Sequence, residues 1–288
     1  MTTRTATHPR GPALFAGLFQ IKGQIVNPPR SSSMAAALLI GLILILGLAG
    51  TNTLGGGSFW LLPMVYLMVP LAVASRGVYV VHFSIFLVFC YFMSWFPSLA
   101  SSPFNQLIAL SLYGYAVVVI PSLRQSVGWV RLGKFDRTIW LLIAAAGILS
   151  SAALIAWVKW VNPDLSRYAG LIPGKTTGLV LWNGLFFCSL NAAEEEIIWR
   201  GMIMEALDSA FGPGILSIVI QAASFATAHY LNGFPNGITG SLIVFACGLM
   251  LGIIRRKSRG IAAPWLAHMA SDFTIYCLVV ISLGSPRT

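Results

Sequence analysis

The chain is built from long apolar runs that follow one another with short breaks from residue 34 to residue 283. The hydrocarbon core of a bilayer takes a helix of about 17–25 such residues. Candidate spans fall near 34–50, 59–75, 79–96, 105–121, 138–160, 177–208, 213–230, 237–254 and 261–283. The expected class is therefore an all-α, polytopic integral membrane protein with about eight or nine transmembrane helices. Composition closes off the alternatives: 57% of residues are hydrophobic and 9% are charged, against about 25% charged in a soluble domain. So few charges cannot cover a water-facing surface, which excludes a soluble enzyme.

The net charge of +10 would suggest nucleic acid in a soluble protein. Here the basic residues lie mostly in the short loops between apolar runs, so orientation in the membrane explains them and no nucleic-acid partner is expected. With the amino terminus on the cytoplasmic side, the outer loops collect only Lys159, Arg167, Lys175 and Arg287, and Arg200 falls inside a span. The other thirteen basic residues are inside. That bias predicts a cytoplasmic amino terminus and, for an odd number of spans, an outer carboxyl terminus; a cell (inner) membrane is the expected location. The run Arg255-Arg256-Lys257-Ser258-Arg259 reads as a stop between two apolar helices.

Three divisions follow. Residues 1–33 form a basic tail without acids that either lies on the anionic leaflet or hangs loose. Residues 34–176 supply the first transmembrane helices, and 177–283 form a late helical core. Cys90, Cys188, Cys247 and Cys277 all sit in apolar stretches without a C-x-x-C pair and read as core thiols. No internal repeat is visible. Gly248 and Gly252 allow close helix approach and carry no functional weight.

Charges inside hydrocarbon are costly, so a cluster of them is a functional candidate. Glu194, Glu195 and Glu196, three of the eight acids, stand together in the sixth run. At about 100° per residue Glu196 and Arg200 share a helix face and can pair, leaving Glu195 free. A purely structural ion-pair knot is the competing reading. The seventh run carries Phe225 and His229, and the ninth carries His268 and Asp272 at i, i+4. If the sixth and seventh helices are antiparallel about Phe211-Gly212-Pro213, Glu195 and His229 come within ~3 Å of one depth at ~1.5 Å per residue. A carboxylate and an imidazole at one level are parts of a general-base site or of a metal site that activates water.

In that order on three late spans, Glu195-Glu196-x-x-x-Arg200-Gly201, Phe225-x-x-x-His229 and His268-x-x-x-Asp272 resemble the CPBP (Abi) family of intramembrane proteases. That family includes the type II CAAX prenyl endopeptidases and bacteriocin-processing or self-immunity proteins. The resemblance covers about 177–283. It implies that Glu195 activates the attacking water, that His229 holds the same water or a metal, and that His268 and position 272 stabilise the oxyanion. Glu196 and Arg200 would brace the site. Asp272 stands where the family most often has Asn, and Trp199 replaces a more usual Phe. Glu194 makes the register arguable, and Arg200-Gly201 selects Glu195 and Glu196.

Two mechanisms fit these residues. Glu195, His229 and His268 could bind Zn²⁺ as an open catalytic site, or a metal-free glutamate and histidine pair could activate water. The function expected is an intramembrane endopeptidase acting on a membrane-anchored protein or peptide, of CAAX type or a processed precursor or carboxyl-terminal tail. The competing class is a non-catalytic immunity-type membrane protein or a transporter.

Overall fold

The computed structural model describes residues 33–51, 61–75, 77–93, 96, 105–172 and 177–284. The basic tail, apart from Ser33, lies outside them. Among the described residues there is no strand. The helices in order are α1 (Ser33–Thr51), α2 (Leu61–Ala74), α3 (Val78–Met93), α4 (Asn105–Val119), α5 (Pro121–Ser126) and α6 (Arg137–Val161). A 3₁₀ turn at Ser166–Leu171 leads to α7 (Thr177–Glu195), which runs through a π-helical segment, Glu196–Ile203, into α8 (Met204–Phe211). The chain then forms α9 (Ile215–Asn232), α10 (Gly237–Ser258) and α11 (Ala262–Gly284).

By length and composition α6, α10 and α11 can each cross a membrane, and α1, α2, α3, α4 and α9 contain shorter apolar helices. Of the eight or nine crossings expected from the apolar runs, three are matched by such helices among the described residues.

Helix ends follow local chemistry. The Asp136 carboxylate accepts from the Ile139 N–H (3.0 Å) and caps α6. Asn162 ends it in the left-handed region, φ 49°, just before Pro163. The long run from Thr177 ends at Phe211, where the Gly212 N–H donates to the Asp208 carbonyl (2.9 Å) and the chain turns back into α9.

The late helices pack tightly. α9 lies along α10, where a Cβ on Gly248 would come within 3.0 Å of the Ala222 backbone, and Gln221 donates to the Gly248 carbonyl (2.8 Å). α6 and α11 are joined by two hydroxyl pairs, Ser150 with Ser271 and Ser151 with Thr274, each 2.7 Å. Such bonds hold helices together where the surroundings are too apolar to drive association. The outward face of α6 leaves Trp140, Leu141, Ile148, Leu149 and Trp160 exposed, a surface suited to lipid. α1, α3 and α4 pack on the π segment and α9 through a separate apolar cluster that includes Phe83, Tyr113, Ile198 and Met202.

Candidate active site

The site begins where α7 loses its regular winding. From Glu196 the backbone widens into the π segment, a rare form found mostly as single turns within α-helices and frequently at functional sites. Gly201 lies in it because a Cβ there would meet the Trp129 ring at 2.9 Å. Regular α-helix was expected across this stretch; the sequence carries no signal for the change. The Glu196–Arg200 spacing nevertheless still closes, with Arg200 Nη1 2.9 Å from Glu196 Oε1 and both side chains 0% exposed.

Glu196 serves two partners. Its Oε1 also accepts from His268 Nδ1 at 2.8 Å. The Arg200 guanidinium lies 4.5 Å from the centroid of the Phe225 ring, a cation–π contact. Glu196 Oε2 and Arg200 Nε and Nη2 meet no hydrogen-bond partner among the described residues. The pair is sealed behind Phe225, whose ring also contacts Trp199 at 5.0 Å and His229 at 4.5 Å between centroids.

Glu195 faces the other way, into a cavity of about 260 Å³. His229, His268, Asp272 and Asn191 share its walls. Glu195 Oε1 is 4.0 Å from His229 Nε2, and Oε2 is 3.4 Å from His268 Nε2. His229 Nδ1–H donates to the Phe225 carbonyl (2.9 Å). A carbonyl can only accept, so that bond places the proton on Nδ1 and presents the Nε2 lone pair to Glu195. The antiparallel arrangement about Gly212 thus brings the two side chains to one level. Glu194 is buried outside the cavity lining.

His268 and Asp272 relate differently from the simple i, i+4 pair read in the sequence. Their separation is 3.6 Å, longer than either contact of His268 with a glutamate. Asp272 Oδ2 is instead held by the Asn191 amide, which donates at 3.1 Å. Asn191 carried no assigned role in the sequence reading. Its signal was its place one helical turn before Glu195.

The basic run at the end of α10 also requires correction. Arg255 is buried, with Nε donating to the Arg200 carbonyl (3.2 Å) and Nη2 to Glu205 Oε1 (3.0 Å). Arg256 binds both oxygens of Asp208 at 2.6 and 2.8 Å. These two arginines tie α10 to the π segment and α8, whereas the sequence reading placed them in a loop.

Zinc would draw on Glu195, His229 and His268. Glu195 Oε1 and Oε2 stand 4.0 and 3.4 Å from His229 Nε2 and His268 Nε2, and no group of three His, Cys, Asp or Glu side chains among the described residues is already set around a metal position. Glu196 behind His268 Nδ1 (2.8 Å) would orient that ring toward either a water or a metal.

Residues 177–274 match the family described as type II CAAX prenyl endopeptidase Rce1-like. That match supports a relation to the CPBP (Abi) family over this last third of the chain. The match spans the three elements that carry the site, α7 with the π segment, α9 and most of α11. No curated protein and no solved structure matches the chain.

Proposed function

We propose that this protein is an intramembrane endopeptidase that hydrolyses a peptide bond of a membrane-associated protein or peptide. One observation carries the reading: a glutamate and the lone-pair nitrogen of a histidine face each other 4.0 Å apart on the wall of a cavity among apolar helices. A water with hydrogen bonds of ~2.8 Å to each group fits across that gap. The relation to the CAAX endopeptidases supports the same chemistry.

Glu195 takes a proton from the water as its oxygen attacks the scissile carbonyl carbon. His229 Nε2 accepts the water's other hydrogen bond and aims the lone pair. The carbonyl oxygen becomes an oxyanion, and His268 Nε2–H donates to it. Collapse of the tetrahedral species breaks the C–N bond, and Glu195 returns its proton to the leaving amine. Glu196 orients His268 through Nδ1 (2.8 Å) and is itself neutralised by Arg200. No step here runs through a metal. The amino terminus lies on the cytoplasmic side in this reading, as the basic bias suggests.

The test compares membrane-anchored proteins in cells expressing wild type or Glu195→Ala, with new protein termini mapped by mass spectrometry. Termini that appear only with wild type support the reading. Identical sets of termini in the two strains overturn it.

A further inference from the structure

The eight acids of the chain can each be followed to their surroundings, and they leave several exposed cations without an ion pair among the described residues. Glu194, Glu195, Glu196 and Asp272 are at or beside the buried site. Glu205 and Asp208 are engaged by Arg255 and Arg256. Asp136 is held by Lys134 at 2.8 Å and by the start of α6. The Lys134 contact, then the Ile139 N–H, keep the Asp136 carboxyl below its ordinary range. Asp164 follows the far end of α6, whose 25 residues span ~37 Å at ~1.5 Å each.

Arg124 and Lys159 lie apart from the rest, whereas Arg137, Lys257 and Arg259, exposed and without an ion pair among the described residues, come from segments that cross one another. They belong to one surface. The loop before α6 crosses the α10–α11 turn, with Lys134 N–H donating to the Ser258 carbonyl (2.9 Å) and Ile261 N–H to the Arg131 carbonyl (2.7 Å). Arg137 stands in the first turn of α6, where a cation opposes the helix dipole and gains nothing from its own helix. Arg131 adds a further exposed positive charge nearby.

The same crossing exposes apolar side chains. Leu132 is 65% exposed, Trp140 53% and Phe135 38%, and the Phe135 and Trp140 rings pack 5.3 Å apart. Aromatic side chains beside unpaired cations suit the boundary between acyl chains and headgroups. A free anion in water would satisfy the charges and leave these side chains wet; a lipid phosphate with its chains covers both.

We propose that this crossing is a docking surface for anionic phospholipid, with the headgroup phosphate on Arg137, Lys257 and Arg259 and the acyl chains against Leu132, Phe135 and Trp140. It lies at the end of α6 away from Lys159 and outside the catalytic cavity, so it stands independently of the proteolytic reading.

The test uses the purified full chain in a neutral detergent and reads its thermal midpoint. The probes are dioctanoyl phosphatidylglycerol, dioctanoyl phosphatidylcholine and inorganic phosphate. Phosphatidylglycerol should raise the midpoint saturably, and the other two should not. Each basic residue near an anionic surface contributes about fivefold in binding, so Arg137→Gln/Lys257→Gln/Arg259→Gln should raise the half-saturating concentration on the order of a hundredfold. Arg259→Gln alone should raise it about fivefold, and it provides the measurement if the triple variant does not fold. Lys159→Gln, at the other end of α6, should leave it at the wild-type value. Equal response to phosphatidylcholine, a full response to phosphate alone, or wild-type affinity in Arg259→Gln each overturns the proposal.

Discussion

The molecule holds two concentrations of charge that obey opposite rules. Inside the bundle, Glu195, Glu196, Arg200, His229, His268 and Asp272 face one another at 2.8–4.0 Å, with Glu196 and Arg200 wholly buried. At the end of the bundle, Arg137, Lys257 and Arg259 are exposed without a partner among the described residues. A charge removed from water must find an opposite charge or hydrogen bonds within the protein, so the scarce acids are concentrated where water is excluded. Arg255 and Arg256 mark the border between the regimes. They continue the basic sequence yet reach back to Glu205 and Asp208.

The largest effect should come from the interior. Glu195→Ala and His229→Ala should each lower cleavage of an identified substrate by ~10²–10⁴-fold, the range of positioned general-base catalysis, with membrane insertion intact. The double variant should be no worse than the poorer single one, because the two groups act on one water. Additive losses would show that they act separately.

Next in size is the buried pair. Glu196→Gln or Arg200→Ala leaves the partner charge uncompensated, and the expected loss of stability is ~3–5 kcal/mol. Denaturation in detergent and protein abundance in membranes both read it. Wild-type values in both variants would remove the pair as a structural brace.

A smaller change should separate roles within the site. Asp272→Asn should keep activity within about tenfold, since the loss or weakening of one hydrogen bond from Asn191 costs ~0.5–1.5 kcal/mol. Asp272→Ala should be worse, because it leaves the Asn191 amide and His268 without that neighbour. Metal content should be measured alongside. If both variants are equally inactive and have lost a metal that the wild type holds in stoichiometric amount, the metal-free mechanism fails.

The smallest effect belongs to the border. Asp208→Asn and Arg256→Gln, combined in a double-mutant cycle, should give a coupling of ~0.2–1 kcal/mol, because the pair is partly open to solvent. A coupling as large as that of Glu196 with Arg200 would erase the distinction between border and interior.

How far the chain could be read without coordinates depended on whether the determining contact was local. The membrane class, the turn at Gly212 and the i, i+4 closure of Glu196 on Arg200 depend on composition, on a glycine at a helix end and on helical spacing. All are properties of neighbouring residues. The shared depth of Glu195 and His229 followed from counting residues on either side of one turn, because an antiparallel pair has a fixed rise. The exact helix bounds did not follow, since an apolar run does not reveal where its helix starts and stops: the 213–230 run is a helix over Ile215–Asn232.

The sequence by itself determined that lipid is the solvent, that the costly charges gather in the last third of the chain, and which three helices bring them. Tertiary structure decided which partner each charge has. Glu196 binds His268 as well as Arg200, and Asp272 is held by Asn191 from another helix. Arg255 is drawn inward to Glu205 and the Arg200 carbonyl. The reason is physical: helical spacing sets who can meet along one helix, whereas burial makes every charge seek its nearest partner across helices, and that choice depends on packing between residues far apart in the chain.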